Sequence, residues 1–305
     1  MRHLELFAGI GGFRRAMDLL TQDHIMDFHC MGYSEIDAKA VKTYCANYHP
    51  EVDGELAMGD IVEFTSNKNN MDNLPQFDLV TGGFPCQTFS MMGKQAGFNE
   101  DRGQMFFHII DILAAKMPRY VLLENVKNLK SHDKGRTFAR IKQELEALGY
   151  QVFTDIFNTA QFHLPQTRNR LLIFATTEPV PADFEVQFTC DNIAVLFDQV
   201  YQDLGTYHYQ SVNDILSLDV DQKYFLSERI KPTLLADGSA NFKSKSDINM
   251  SIARPLTATM HKMHRACQDN YYSQDFIESH GAINPVKTMT KEQLAQLPIR
   301  KLTPE

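Results

Sequence analysis

Short apolar runs that end in glycine, cysteine-bearing or acidic turns alternate with helix-period segments through the first 175 residues of this 305-residue chain. This alternation restricts the possible folds more than any other feature, because runs of four or five apolar residues are strand-length and too short for a helix. The runs are Leu4-Glu5-Leu6-Phe7, Cys30-Met31-Gly32-Tyr33-Ser34, Phe77-Asp78-Leu79-Val80, Tyr120-Val121-Leu122-Leu123 and Arg170-Leu171-Leu172-Ile173-Phe174. Between them, residues 12–20, 38–48, 104–116 and 136–148 carry apolar positions at helical spacing, and the last of these stops at Gly149, where a left-handed C-terminal cap belongs. Strands that alternate with helices pair in parallel, so the expectation is an α/β fold with a mostly parallel sheet covered by helices on both faces.

The pattern breaks after Thr177. Glu178-Pro179-Val180-Pro181 reads as a linker, and beyond it polar, basic and aromatic residues interleave without a clear period. The predicted organisation is a catalytic and cofactor-binding domain over 1–178, a smaller irregular domain over 179–285 and a return segment over 286–305. With 43% hydrophobic residues the chain can bury a large core. Five widely separated cysteines, with no C-x-x-C pair, point to reduced thiols rather than disulfides or a zinc site. No run approaches the roughly 18 apolar residues of a membrane span, so a cytoplasmic location and no membrane partner are expected. His261 and His264 are spaced i and i+3 but lack thiolate or carboxylate companions, so no metal is assigned to them.

A net charge of −8 argues on average against a polyanionic partner, but the charge is segregated. Residues 127–142 hold six basic residues against Asp133 alone, and residues 223–265 hold eight basic against three acidic. Residues 171–222, between them, contain no Lys or Arg. Such segregation suits a one-sided footprint on phosphates, although a solvated charged face produces the same runs.

In an open parallel sheet ligands bind beyond the carboxyl ends of the strands, so the residues just after each apolar run carry the chemistry. Phe7-Ala8-Gly9-Ile10-Gly11-Gly12 turns from strand into helix, where glycines admit a close ligand and the helix start favours an anionic group. Arg14 stands where a dinucleotide fingerprint needs its third glycine, which disfavours nicotinamide. Glu35 follows the second run at the distance where an acid accepts from ribose hydroxyls, and Asp60 in Gly59-Asp60-Ile61 suits the amino group of adenine. Cys86, in Gly82-Gly83-Phe84-Pro85-Cys86-Gln87, lies on a loop outside any apolar periodicity and is a candidate nucleophile. A thiol near its ordinary pKa is only a few per cent ionised at neutral pH, so it needs positive potential, for which Arg168 and Arg170 are candidates. Glu124, in Glu124-Asn125-Val126, supplies a carboxylic acid at the end of another strand.

These elements, in this order, with Arg102-Gly103-Gln104, Gln166-Thr167-Arg168-Asn169-Arg170 and the late Arg300-Lys301-Leu302-Thr303-Pro304, resemble the C5-cytosine-specific DNA methyltransferases of bacterial restriction systems. The match runs from Leu4 to Pro304. It implies a Rossmann-like, class I S-adenosylmethionine-dependent methyltransferase fold with a smaller, irregular target-recognition domain. It also implies that Phe7, Gly9, Gly11, Glu35, Asp60 and Ile61 line the S-adenosylmethionine pocket, with Phe7 stacked on adenine, Glu35 on the ribose and Asp60 at the adenine amine. Cys86 is then the nucleophile toward C6 of cytosine, Glu124 engages N3 and the exocyclic amine, Arg170 contacts O2, and Arg168 completes the catalytic set. A cytosine inside a duplex exposes neither C5 nor C6, so the base is expected to flip out, with residues 89–103 as the loop that closes over the DNA.

The resemblance implies double-stranded DNA as partner, a cognate restriction endonuclease for the same site, and a bacterial, nucleoid-associated setting. Family members continue past Leu302-Thr303-Pro304 into a segment that completes the cofactor pocket, whereas this sequence stops at Glu305. The expectation is either a shortened chain or a second polypeptide that supplies the segment, and weak cofactor binding by this chain alone. Rival readings are a non-catalytic DNA-binding subunit, against which Cys86, Glu124 and Arg170 together argue, and an RNA cytosine methyltransferase, against which the length of the second domain argues.

Overall fold

In the computed structural model, residues 1–85, 105–204, 209–237, 244–256 and 266–303 are described. The first seven strands are β1 (Arg2–Leu6), β2 (His29–Ser34), β3 (Leu56–Ala57), β4 (Leu79–Gly83), β5 (Tyr120–Val126), β6 (Gln151–Asn158) and β7 (Asn169–Thr176). They form one sheet in the order β3-β2-β1-β4-β5-β7-β6. β1 pairs in parallel with both β2 and β4, β2 with β3, and β4 with β5, while β7 runs antiparallel to β5. The expected mostly parallel sheet is therefore present, and strand order reverses beside β1, which opens a crevice at the carboxyl ends of β1 and β4.

The strands β1 and β4 are buried on both faces almost throughout, whereas β5 and β7 alternate buried with half-buried residues. Leu4, Leu6, Val80, Val121, Leu123, Leu171 and Ile173 are buried in one core with Phe106, Ile109 and Ile112 of the helix Met105–Lys116 and Ile141 and Leu145 of the helix Arg136–Ala147. The polar residues His3 and Glu5 of β1 are buried as well, so they need partners. His3 Nε2 lies 2.7 Å from Thr81 Oγ1 across the β1–β4 pair, and Glu5 Oε1 accepts from the Phe13 amide at 3.2 Å. One helix end falls where the sequence places it, at Gly149, and another is capped by a side chain. Asp37 caps the helix Ala38–Tyr48 through the amides of Lys39 and Ala40, and Gly149 adopts φ 92° just past the helix Arg136–Ala147.

The chain divides into two compact units, Met1–Phe157 with Asn169–Val195, and Asn158–Arg168 with Leu196–Glu305. The proline-rich stretch near 178 is not where the first unit ends. Phe184 and Phe188 pack on Phe153 and Phe174, with ring centroids 4.7 to 6.1 Å apart, and the Cys190 amide donates to Asp155 at 2.7 Å, so aromatic packing keeps residues up to 195 with the sheet. The helix Cys190–Leu204 is a regular element in a region where no period is evident by inspection. Within the second unit, β8 (Tyr271–Ser273) pairs antiparallel with β9 (Ile299–Lys301), over a core of Leu226, Leu234, Leu235, Ile248, Tyr271, Leu294 and Ile299. Arg300 is buried there and donates to the Ser217 carbonyl. Its late position in the sequence thus serves the packing of this unit.

Leu123→Ala removes a fully buried side chain from the middle of the sheet. It is expected to destabilise the first unit by about 2 to 5 kcal/mol, read as a lower urea midpoint for the loss of sheet signal.

Candidate active site

The glycine loop is held in an unusual backbone conformation. Phe7, Gly9 and Gly11 have φ of 54°, 57° and 88°, a region that costs an ordinary L-residue roughly 1 kcal/mol or more. A Cβ on Gly9 would meet nothing within 4 Å, so the loop leaves open space there, whereas a Cβ on Gly11 would fall 2.2 Å from Tyr48 Cε2. Tyr48 Oη donates to the Gly11 carbonyl at 2.8 Å. Tyr48 in turn lies beside Arg14, whose guanidinium sits 5.3 Å from the ring centroid and pairs with the buried Glu55 and with Asp18. Arg14, which departs from the dinucleotide pattern, thus braces the loop from behind. Tyr48 carries no signal in the sequence beyond its helical period.

At the end of β2, Glu35 Oε2 accepts from the Gly9 amide at 2.7 Å, and Oε1 accepts from the amides of Ile36 and Asp37 at 2.8 Å each. The acid therefore locks the glycine loop to the β2 turn. Its two oxygens offer about four acceptor positions, so one is left over from these three bonds for a ligand hydroxyl. Ile10 and Ile36 expose 61% and 74% of their surface on these two turns, an apolar pair that the sequence reading did not single out. Asp60 caps the helix Ile61–Ser66 by accepting from the Val62 amide at 2.8 Å, while Ser34 Oγ donates to the Gly59 carbonyl at 2.9 Å. Ile61 itself is buried in the core, so its side chain supports the turn from beneath.

Glu5 sits under the same loop. Burial pushes its carboxyl up to about 7 against the Phe13 amide bond and the nearby Arg14 charge, which pull it down. An acid whose folded pKa lies above its unfolded value favours the fold only while protonated. The associated stability is fully present below about pH 4.5, falls as pH rises toward 7, and amounts to something on the order of 3 kcal/mol.

At the far side of the crevice, Glu124 lies near the end of β5, with Gly83 of β4 as its paired residue on one side. On the other side, Arg170 is paired with Val126, which makes Glu124 its diagonal neighbour on the same face of the antiparallel ladder. Arg170 Nε reaches Glu124 Oε1 at 2.5 Å, with about a quarter of each side chain exposed. A Cβ at position 83 would stand 3.2 Å from Glu124 Oε2, so glycine there leaves room for the carboxylate. The next residue, Asn125, is buried and donates from Nδ2 to the Phe84 carbonyl at 2.8 Å. That bond ties the end of β5 to the segment that runs into Pro85 and Cys86.

The structure thus brings Phe7, Gly9, Gly11, Glu35, Asp60, Glu124 and Arg170 to one edge of one sheet. Arg168 belongs to the second unit, where its amide donates to Thr159 Oγ1 at 3.0 Å. Cys86, the loop 89–103, His261, His264 and Pro304 lie outside the described residues. Among the described cysteines, Cys30 is buried with its thiol pushed up to about 12, chiefly by desolvation, and Cys190 is also buried.

The C-5 cytosine-specific DNA methylase family model matches residues 1–305. The chain belongs to that family. The Type II methyltransferase M.NlaX of Neisseria lactamica is 37% identical over 227 residues, covering 74% of this chain and 63% of its own length. The orphan methyltransferase M.Rho11sI of Bacillus phage rho11s is 34% identical over 241 residues, covering 75% of this chain and 46% of its own length. The chain accordingly spans about half to two thirds of the length of such curated relatives. Among solved structures, the methyltransferase EhMeth of Entamoeba histolytica superposes with a TM-score of 0.69 at 19% identity, over 100% of this chain and 83% of that one. Dnmt2 of S. pombe superposes with a TM-score of 0.66 at 18% identity, over 98% and 82% respectively. At these identities the likeness concerns the fold, the class I methyltransferase sheet seen here.

Two measurements check this geometry. Gly11→Ala is expected to lower the thermal midpoint by several degrees, because it strains the backbone and drives a methyl group into the Tyr48 ring. Glu5→Gln is expected to flatten the pH dependence of unfolding between about pH 4.5 and 7 relative to the native chain, measured by urea titration. An unchanged slope would exclude the protonated state assigned to Glu5.

Proposed function

We propose that this chain carries the catalytic machinery of a DNA (cytosine-5-)-methyltransferase that uses S-adenosylmethionine. The observation that carries the reading is the placement of Glu124, with Arg170 bonded to it, across the same crevice from a glycine loop that is held open and locked to an acidic side chain. A dinucleotide enzyme has no need for the Glu124–Arg170 pair, and a binding module has no need for both halves.

The residues of the crevice fit the cofactor. Gly9 leaves space for a close ligand, Glu35 retains an acceptor position for a ribose hydroxyl, and Phe7 with the exposed Ile10 and Ile36 offers apolar surface for a purine. Asp60 stands one turn further along for the adenine amine, with Ile61 packed beneath it. Bound S-adenosylmethionine supplies an electrophilic methyl group. Everything else falls to the chain and the base.

Cys86, as thiolate, attacks C6 of a cytosine rotated out of the duplex, and the electron pair of the C5–C6 bond moves toward C5. Glu124 engages N3 and the exocyclic amine, and Arg170 the O2 edge, which stabilises the charge pushed into the ring. With Arg168 these form the catalytic set. C5 then takes the methyl group, loses its proton, and expels the sulfur of Cys86 as the ring regains its double bond. The Asn125–Phe84 bond fixes the backbone two residues before the thiol.

The first unit is read as the catalytic and cofactor-binding domain and the second as the target-recognition domain. The relatives described as Type II methyltransferases, M.NlaX among them, support a partner endonuclease that cuts the same site, whereas M.Rho11sI is described as an orphan.

Cys86→Ser is expected to abolish covalent trapping on a duplex containing 5-fluorocytosine and to reduce methyl transfer below detection. Glu124→Gln is expected to lower kcat by about 100- to 10,000-fold with little change in cofactor affinity, measured by tritium transfer from labelled S-adenosylmethionine. Full-rate methylation by the Cys86→Ser variant would refute the scheme.

A further inference from the structure

The segment that follows β5 is basic and stands immediately beyond Glu124, yet nothing in the scheme above uses it. Lys127 opens a short helical turn, Lys127–Lys130, directly after Val126, the residue paired with Arg170. The turn is rigid rather than loose. Leu129 is fully buried in the core beneath it, and His132 Nδ1 lies 2.7 Å from Thr137 Oγ1 where the segment enters the next helix.

The cations of this segment fall into two groups. Arg136, Arg140 and Lys142 pair with Asp133, Glu144 and Glu146 along their own helix turns, which is the ordinary arrangement of a solvated face. Lys127, Lys130 and Lys134 are exposed and form no salt bridge among the described residues, although the charge of Lys134 acts on Asp133 beside it. In a chain with eight more acidic than basic residues, three ammonium groups without a salt bridge on two consecutive turns, Lys127–Lys130 and His132–Gly135, are not what random surface composition provides. Holding them together costs mutual repulsion, which a polyanion bound to those turns would relieve.

We propose that Lys127, Lys130 and Lys134 form a phosphate-contacting surface for the backbone of the DNA duplex that carries the target cytosine. The inference rests on the reading of the chain as a DNA methyltransferase and adds where the duplex is held beside Glu124. Lysine suits this task, since an ammonium on a flexible stem neutralises a phosphate without demanding a fixed geometry. Contacts of this kind set orientation and affinity for any sequence, and leave sequence choice to other residues.

The experiment is a salt titration. Binding of a fluorescent 20-base-pair duplex is followed by anisotropy from 50 to 200 mM KCl, for the native chain, for Lys127→Gln/Lys130→Gln/Lys134→Gln, and for Arg140→Gln/Lys142→Gln as a control with paired cations. Each phosphate contact contributes about 0.9 to the slope of log affinity against log salt. The triple variant is expected to lose between about 2 and 2.7 units of slope, so that its affinity falls about 15- to 40-fold less across this range than that of the native chain. The control is expected to keep the native slope. Circular dichroism melting of all three proteins is expected to coincide closely, because the substituted side chains are exposed or half-exposed and the ion pairs that the control loses lie at the surface, where they contribute little. A triple variant with the native slope, or a control that loses as much as the triple variant, overturns the inference. If the native chain methylates duplex DNA while the triple variant keeps its slope, only this inference falls. If the native chain neither binds nor methylates duplex DNA, the functional reading falls with it.

Discussion

Glu124 occupies a position that three strands define together. β4 places Gly83 beside it, β5 carries it to the sheet edge, and β7, running the other way, delivers Arg170 two residues off its direct partner and on the same face. A one-residue slip of β7 would turn Arg170 to the opposite face of the sheet, so the register of the β5–β7 ladder is the constraint from which the site follows. That register is enforced by burial, because Leu171, Ile173 and Ala175 alternate into the core opposite the residues that face the other way. The reversed direction of β7 matters as much. Only a strand that begins where β5 ends can bring its first residues to the carboxyl edge of a parallel sheet.

The other half of the crevice is built by a different means. Its backbone takes positive φ at Phe7, Gly9 and Gly11, which costs energy only at Phe7, and the loop is held by side chains that come from elsewhere in the first unit: Tyr48 against Gly11, Glu35 against Gly9, Glu5 against the start of the following helix. These supports are polar and partly or wholly buried, which makes them costly to lose and strongly directional. A rigid, open loop with amides already satisfied is suited to receive a ligand without first reorganising.

Much of this was legible in the sequence. The period of the apolar runs identified strands β1, β2, β4, β5 and β7, the glycines marked the loop, and Gly149 signalled a helix end that the backbone confirms, whereas the caps at Asp37 and Asp60 were not read from the sequence. The helix Cys190–Leu204 and the attachment of residues 179–195 to the first unit were not legible. The attachment depends on contacts of Phe184 and Phe188 with Phe153 and Phe174, and the helix packs Phe197 on Phe162; these partners are distant in sequence, and a linker signal from prolines says nothing about what packs beyond it. Tyr48 and Asn125 escaped for the same reason. Each acts through a bond to a backbone carbonyl that is 37 or 41 residues away.

The sequence by itself determined which residue types stand at the strand ends, because period-two and helix-period patterns record burial locally, residue by residue. Only the tertiary structure decided that Glu124 meets Arg170, that Arg14 braces the glycine loop instead of contributing to it, and that Lys127, Lys130 and Lys134 form no salt bridge while Arg136, Arg140 and Lys142 do. Those outcomes depend on strand register and on side-chain reach across pairs far apart in the chain. No local pattern carries that information.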